Sequence, residues 1–254
     1  MIKKHSQISG PILFGIGLVI IWQICIAAFG IKSYVFPSPM GLIVSIEKHH
    51  QILLAALWVT AQEALAGLGM AVVAGLAIAI VAAHFERINK MIMPYLVIIQ
   101  TTPIVAIAPL FVLWFGEGML SRIVSSFAVT LIPMTITMTQ AFQVEDGGRH
   151  DIYRVFKYGP VRRFFTITWP LAVPGIISSL QFGVALAVVG AIVGELVTAD
   201  SGLGYVIIQA SYEVDTPLLF AAISFSALIG IVLYLLITYL SQLIHMDRYY
   251  ISER

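Results

Sequence analysis

Few residues in this chain have the type and placement to do chemistry. Glu63 and Glu195 sit in otherwise apolar stretches. A carboxylate near lipid depth is costly to keep there and marks a functional group by default. Both lie close to a span end, so Glu195 is assigned a gate or pathway role and Glu63 a weaker version of it. Gln100, Thr101 and Thr102 directly precede Pro103, with Pro94 and Pro109 further along the same apolar run. Proline removes a backbone donor and kinks a helix. Polar groups beside such a break suit the lining of a translocation pathway; a kink that serves packing alone reads the same way in sequence. The third group is a charged stretch holding Arg149, Asp151, Arg154, Lys157, Arg162 and Arg163. Ile152, Val155 and Phe156 share one helical face there, with Tyr153 beside them. This is a short amphipathic helix, either lying among lipid headgroups or docking by its apolar face into a partner's groove.

Chemistry of other kinds is missing. No GxxxxGK[ST] phosphate loop occurs, and no Gly is followed by Lys, so the chain is not expected to hydrolyse ATP. There is no HExxH and no GxSxG. His5, His49, His50, His84, His150 and His245 make no metal-binding spacing, and Cys25 has no second cysteine to pair with. The GxG pairs lack the strand–helix setting of a dinucleotide site. No catalytic, cofactor or metal site is assigned, and the chain does not read as an enzyme.

The elements that carry these residues follow from composition. Hydrophobic residues make up 59% of the 254, charged residues 11%, and mean hydropathy is +0.96. Soluble domains are about 45–50% apolar and about 25% charged, so a free soluble protein is excluded. The net charge of +1 leaves no footprint for nucleic acid. A spanning helix needs about 20 mostly apolar residues. Six such runs are present, near 11–30, 64–83, 91–115, 123–142, 171–193 and 218–240. The first is preceded by Lys3 and Lys4 but is longer than a signal-peptide core, so it is read as a retained helix. The expected fold is all-α: a polytopic membrane protein of six transmembrane helices, one domain over 1–254, with a cytoplasmic coupling loop at 143–170.

Orientation follows the basic residues. With six spans, eleven of the 14 lie on the side of both termini, while Lys32, Lys48 and Arg122 lie opposite. Both termini are therefore expected in the cytoplasm. The first outer loop, Ile31 to about Glu63, is expected to begin extended at Phe36-Pro37-Ser38-Pro39, where two prolines disfavour helix, and continues with an apolar stripe through Trp58. That stripe predicts a helix on the outer interface or one leading into the second span. In the second span Gly67, Ala71, Gly75, Ala79 and Ala83 recur every four residues, a face for close helix contact either within the chain or between subunits.

The charged inner loop resembles that of the permease subunits of binding-protein-dependent ABC importers. Their motif is E-A-A-x3-G-x9-I-x-L-P. Asp151, Ile152 and Tyr153 stand at its first three places, Lys157 at the Gly place, Ile167 at the Ile place, Trp169 at the Leu place and Pro170 at the Pro place. Ile167 and Pro170 match strictly, and Asp151 conservatively. Phe36-Pro37-Ser38-Pro39, the run Thr102 to Leu110 followed by Trp114-Phe115-Gly116, Pro170 to Ile176, and Glu195 with Ser201-Gly202-Leu203-Gly204-Tyr205 resemble the nitrate, sulfonate and taurine branch, in family order. The third-span wording is similar to importers of pyrimidine vitamin precursors or riboflavin.

The resemblance implies a type I importer permease in a bacterial inner membrane. It pairs with a second permease copy or a paralogue, two ATP-binding subunits that hold ATP and Mg, and an extracytoplasmic substrate-binding protein. It also implies that Asp151, Ile152, Tyr153, Arg154, Phe156, Lys157, Ile167 and Pro170 couple to the ATPase. The substrate is a small polar organic solute: a vitamin or pyrimidine precursor, or a sulfonate, taurine or nitrate. An ion-gradient-coupled carrier is the alternative, but no Asp/Glu/His relay crosses the midplane; a non-transporting scaffold is the third reading. Lys157 at the Gly place implies an extended or re-angled coupling helix, with the turn moved to Gly159-Pro160. Arg154→Ala and Phe156→Ala are each expected to uncouple uptake from ATP hydrolysis in reconstituted importer while the membrane fold stays intact. Normal uptake and normal substrate-stimulated ATPase in both variants would contradict the coupling role.

Overall fold

In lipid a backbone must satisfy its own polar groups, which restricts an apolar chain of this kind to helices or a closed barrel. The computed structural model describes residues 2–143, 159–198 and 200–243, with backbone only for 2–9, 11, 12 and 160. Among the described residues it is all-helical: α1 (Ile2–Phe29), α2 (Pro39–His84), α3 (Glu86–Gln100), α4 (Ile104–Phe115), α5 (Met119–Phe142), the single turn α6 (Pro160–Arg163), a π-helical stretch (Phe164–Thr168), α7 (Trp169–Thr198), α8 (Leu203–Tyr212) and α9 (Thr216–Leu243). Four helical segments are long and apolar enough to cross a membrane, namely α2, α5, the continuous run Val161–Thr198 and α9. A fifth is reached if α3 and α4 count as one span bent by 95°. The apolar part of α1, Leu13–Phe29, is a shorter helix.

Several boundaries differ from the hydropathy reading. The stripe after Pro39 is the front half of α2, which runs 46 residues into the second span with a kink at His49 (φ −111°, ψ 17°). The Phe36-Pro37-Ser38-Pro39 element starts that helix. Ser38 Oγ accepts the Gly41 N–H at 3.0 Å, and Pro39, which needs no hydrogen-bond partner, takes the first turn. Phe36 is wedged between Trp22 of α1 and Phe220 of α9, with ring centroids 5.6 and 5.1 Å away. Trp22 Nε1 donates to Pro37 O at 3.1 Å, tying α1 to the same turn. The third span is two helices meeting at Thr101–Pro103, not one kinked helix. Chain through Pro160 and Ile167, read as loop, is already helical and leads into the fifth span.

α5 is the centre of the bundle, packed between α2 and α7. Its contact faces carry small polar residues, and glycines oppose them. A Cβ on Gly190 of α7 would sit 2.7 Å from Ser126 Cα, and one on Gly194 would sit 2.8 Å from Arg122 Cα. A Cβ on Gly75 of α2 would sit 3.1 Å from Thr135 Oγ1. The Gly67-Ala71-Gly75-Ala79 face of α2 is therefore buried within the chain, which decides the small-residue row in favour of internal packing. Several α5 hydroxyls are satisfied locally or across helices, while the buried Ser125 Oγ has no partner among the described residues. Thr130, Thr135 and Thr139 each donate to the carbonyl four residues back at 2.7 Å, and Ser126 donates to Ala187 O of α7 at 2.9 Å. On the other side of α7, Gln181 Nε2 donates to Thr238 Oγ1 of α9 at 2.8 Å.

Gly190→Val is expected to overpack this seam and to cost about 1–3 kcal/mol. Gly69→Ala, with nothing within 4 Å of the added Cβ, should be neutral or slightly stabilising. Thermal unfolding of the purified chain in detergent checks both. Equal midpoints for the two variants would contradict the close α5–α7 contact.

Candidate functional site

Two features stand out from ordinary helix packing, and both are built on α5 and α7. The first is a cavity of about 310 Å³ at the break between α3 and α4. Gln100, the last residue of α3, and Thr102 form its polar edge; Ile104 and Val105 contribute from α4; Val129, Ile132 and Pro133 from α5; Leu186, Val189 and Val193 from α7. The break has a local cause. Pro103 has no N–H to continue α3, and it begins α4 in an extended conformation (φ −68°, ψ 106°) with no side-chain cap. The Thr101 hydroxyl folds back on Ile98 O at 2.7 Å and does not reach the cavity. Gln100 and Thr102 make no side-chain hydrogen bond with any described residue. Gln100, Thr102, Val105 and Val189 are exposed, so the cavity opens to one side.

The second feature is a buried polar clasp where α2, α5 and α7 meet the segment before α8. Glu195, fully buried, accepts the Thr60 hydroxyl at 2.6 Å on Oε1 and the Gly204 N–H at 2.6 Å on Oε2. Thr60 Oγ1 in turn accepts the Leu203 N–H at 2.9 Å. Gly202 is required twice over. Its φ is +92°, and a Cβ there would run into the Glu195 carboxylate. Beside this lies Arg122, only 4% exposed. Its Nη1 reaches Asp200 Oδ1 at 3.0 Å, Ser201 Oγ at 2.7 Å and Ser201 O at 3.2 Å. Its Nε lies 3.2 Å from Glu63 Oε1 but gives its hydrogen to Gly118 O at 3.1 Å. Glu63 is fully buried, and neither of its oxygens has a hydrogen-bond partner among the described residues. The buried Glu63 and the half-exposed Asp200 share the Arg122 guanidinium, and the clasp fastens the Ser201–Gly204 segment to three helices.

The structure separates the pathway residues predicted from sequence. Gln100 and Thr102 line the cavity, Thr101 and Pro103 shape the break, and Glu195 belongs to the clasp. Arg122 and Thr60 were missed. Arg122 reads as an outer-loop charge, and only its position opposite two intramembrane acids signals burial. Of the expected ATPase-coupling residues, Asp151, Ile152, Tyr153, Arg154, Phe156 and Lys157 lie outside the described residues. Ile167 falls in the π-helical stretch and Pro170 in the first turn of α7. Next to them Phe142, Phe164 and Trp169 stack with centroids about 6.1 Å apart, fixing the far end of α5 against the entry to α7. Among the described residues no group of acidic, histidine or cysteine side chains could hold a metal ion.

Both features belong to an all-helical bundle with several helices apolar enough to cross a membrane. The chain belongs to the family of binding-protein-dependent transport system inner membrane components, which matches residues 71–246. It is 34% identical to a probable ABC transporter permease protein of Haemophilus influenzae, over 91% of this chain and 94% of that one. It is 30% identical to the formylaminopyrimidine transport permease ThiX of Halalkalibacterium halodurans, over 90% and 92%. Riboflavin, aliphatic sulfonate, nitrate and taurine permeases are also among its relatives. Its fold is similar to a chain of the MetNI methionine ABC transporter in an inward-facing conformation, with TM-score 0.63 and 16% identity over 76% of this chain and 98% of that one. The relatives are permease subunits, and this chain is a transport component rather than an enzyme.

Arg122→Met leaves Glu63 buried without its counter-charge and is expected to cost about 3–5 kcal/mol. Adding Glu63→Gln should recover part of that loss, a coupling of about 0.5–3 kcal/mol. A double-mutant cycle on detergent-purified protein measures it, and strictly additive losses would contradict the ion pair.

Proposed function

We propose that this chain forms half of the translocation pathway of an ABC importer and is driven by ATPase subunits that it contacts through residues 143–170. The observation that carries the pathway is the cavity at the broken span, which opens sideways where a second permease copy or a paralogue closes it. On this reading the bundle has six spans, with α1 as the first and the bent α3–α4 pair as the third, and both termini face the cytoplasm. The clasp then lies at the outer end. Glu195, held by Thr60 and Gly204, keeps the Ser201–Gly204 segment folded over the exit and acts as a gate. The 143–170 loop lies at the opposite, ATPase-facing end. Asp151, Ile152, Tyr153, Arg154, Phe156 and Lys157 form the docking helix, and Ile167 and Pro170 transmit its movement into α7. ATP and Mg belong to the partner subunits, and an extracytoplasmic binding protein delivers the substrate.

The substrate on this reading is a small polar organic solute. Relatives that import formylaminopyrimidine, riboflavin, sulfonates, nitrate and taurine support that range. Affinity purification of the tagged full-length chain from native membranes is expected to bring down two ATP-hydrolysing subunits with two permease chains. A chain that purifies without any ATPase would contradict the proposal and favour an ion-coupled carrier or a scaffold.

A further inference from the structure

The cavity at the α3–α4 break carries more than a route; the inference here rests on the pathway reading above. Its lining is uneven. Branched aliphatic side chains of α5 and α7 form the walls, including Val129, Ile132, Val189 and Val193, while the polar groups Gln100 and Thr102 stand together at one edge. Neither side chain makes a hydrogen bond with another described residue. A primary amide offers a donor and an acceptor side by side, and a hydroxyl can do either. No charged side chain lines the cavity.

These features select a chemistry. Mostly apolar walls with a few convergent polar groups are the usual make-up of a small-molecule site, and about 310 Å³ lies at the small end of the usual range. An anion stripped of water there would face aliphatic walls with no cation from this chain to answer it, which is strongly unfavourable. The uncapped start of α4, at Ile104 and Val105, adds backbone N–H donors and roughly half a positive charge. That suits a carbonyl oxygen or a ring nitrogen but does not balance a full sulfonate charge. Arg122, the buried cation of α5, is already committed to Glu63, Asp200 and Ser201 in the clasp.

We propose that this cavity receives an uncharged, flat heterocyclic solute, whose donor–acceptor edge meets the Gln100 amide and the Thr102 hydroxyl, and that it is not a holding site for an anion. The nitrate- and sulfonate-importing relatives are then not a guide to this chain's passenger.

The test uses the whole importer in proteoliposomes, with its permease partner, ATPase and binding protein, and two radiolabelled probes, formylaminopyrimidine and methanesulfonate. Uptake of the pyrimidine and not of the sulfonate is expected. Gln100→Leu should lower pyrimidine uptake by about tenfold, the factor set by one lost hydrogen bond of ordinary strength, and Gln100→Asn should restore part of it. Import of methanesulfonate instead, import of neither probe, or a wild-type rate in Gln100→Leu would each overturn the assignment. Ala128 of α5 also lines the cavity, and Ala128→Trp, which fills it, separates this failure from that of the pathway. If the Ala128→Trp importer, shown to be assembled by co-purification, still transports whatever the wild type transports, the route lies elsewhere and the pathway reading falls as well. If it is blocked while Gln100→Leu is unaffected, the route stands and the recognition chemistry does not.

Discussion

A backbone in hydrocarbon has no water to turn to, and every other feature of this structure is arranged around that constraint. Continuous helices meet it by themselves, which is why the described chain is almost entirely helical. Where the structure departs from it, a neighbouring group must compensate. The Thr101–Pro103 break is such a departure, and it occurs where α3 and α4 open a cavity against α5 and α7. The Ser201–Gly204 segment is another. Its N–H groups are met by Thr60 and by Glu195, an acid placed in the bundle to receive them.

The two departures are mechanically joined. α5 carries Val129 and Ile132 in the cavity wall and Arg122 in the clasp; α7 carries Val189 and Val193 in the wall and Glu195 two residues further on. Gly190 and Gly194 bring these helices to backbone contact in between. α5 and α7 therefore each contribute to both the cavity and the clasp.

Much of this was legible in the sequence, for reasons that can be named. Hydropathy and the distribution of basic residues predicted an apolar helical bundle, and Pro103 with its polar neighbours marked the break. Phe36-Pro37-Ser38-Pro39 read as extended chain because of its two prolines, whereas Ser38 caps a helix that already starts at Pro39. Other features are long-range and leave no local signal. Nothing near Arg122 in sequence says that it is buried between Glu63 and Asp200, because those partners come from α2 and from the segment beyond α7. Likewise Thr60 meets Glu195 across 135 residues. Hydropathy merged α3 with α4 because an apolar run does not record a 95° bend. The periodicity of the Gly67–Ala79 face was plain, but only packing against α5 showed that the contact is internal.

What the chain lacks is as informative as what it contains: its sequence has no phosphate loop, and no relay of acids crosses its midplane. On the proposed function it is a route that other subunits drive. Substrate uptake by the reconstituted importer, followed with ATP present, with ATP replaced by a non-hydrolysable analogue, and with only a proton or sodium gradient imposed, tests this most directly. Uptake that requires hydrolysable ATP and ignores the gradients is predicted. Uptake that persists on an ion gradient without ATP would contradict it.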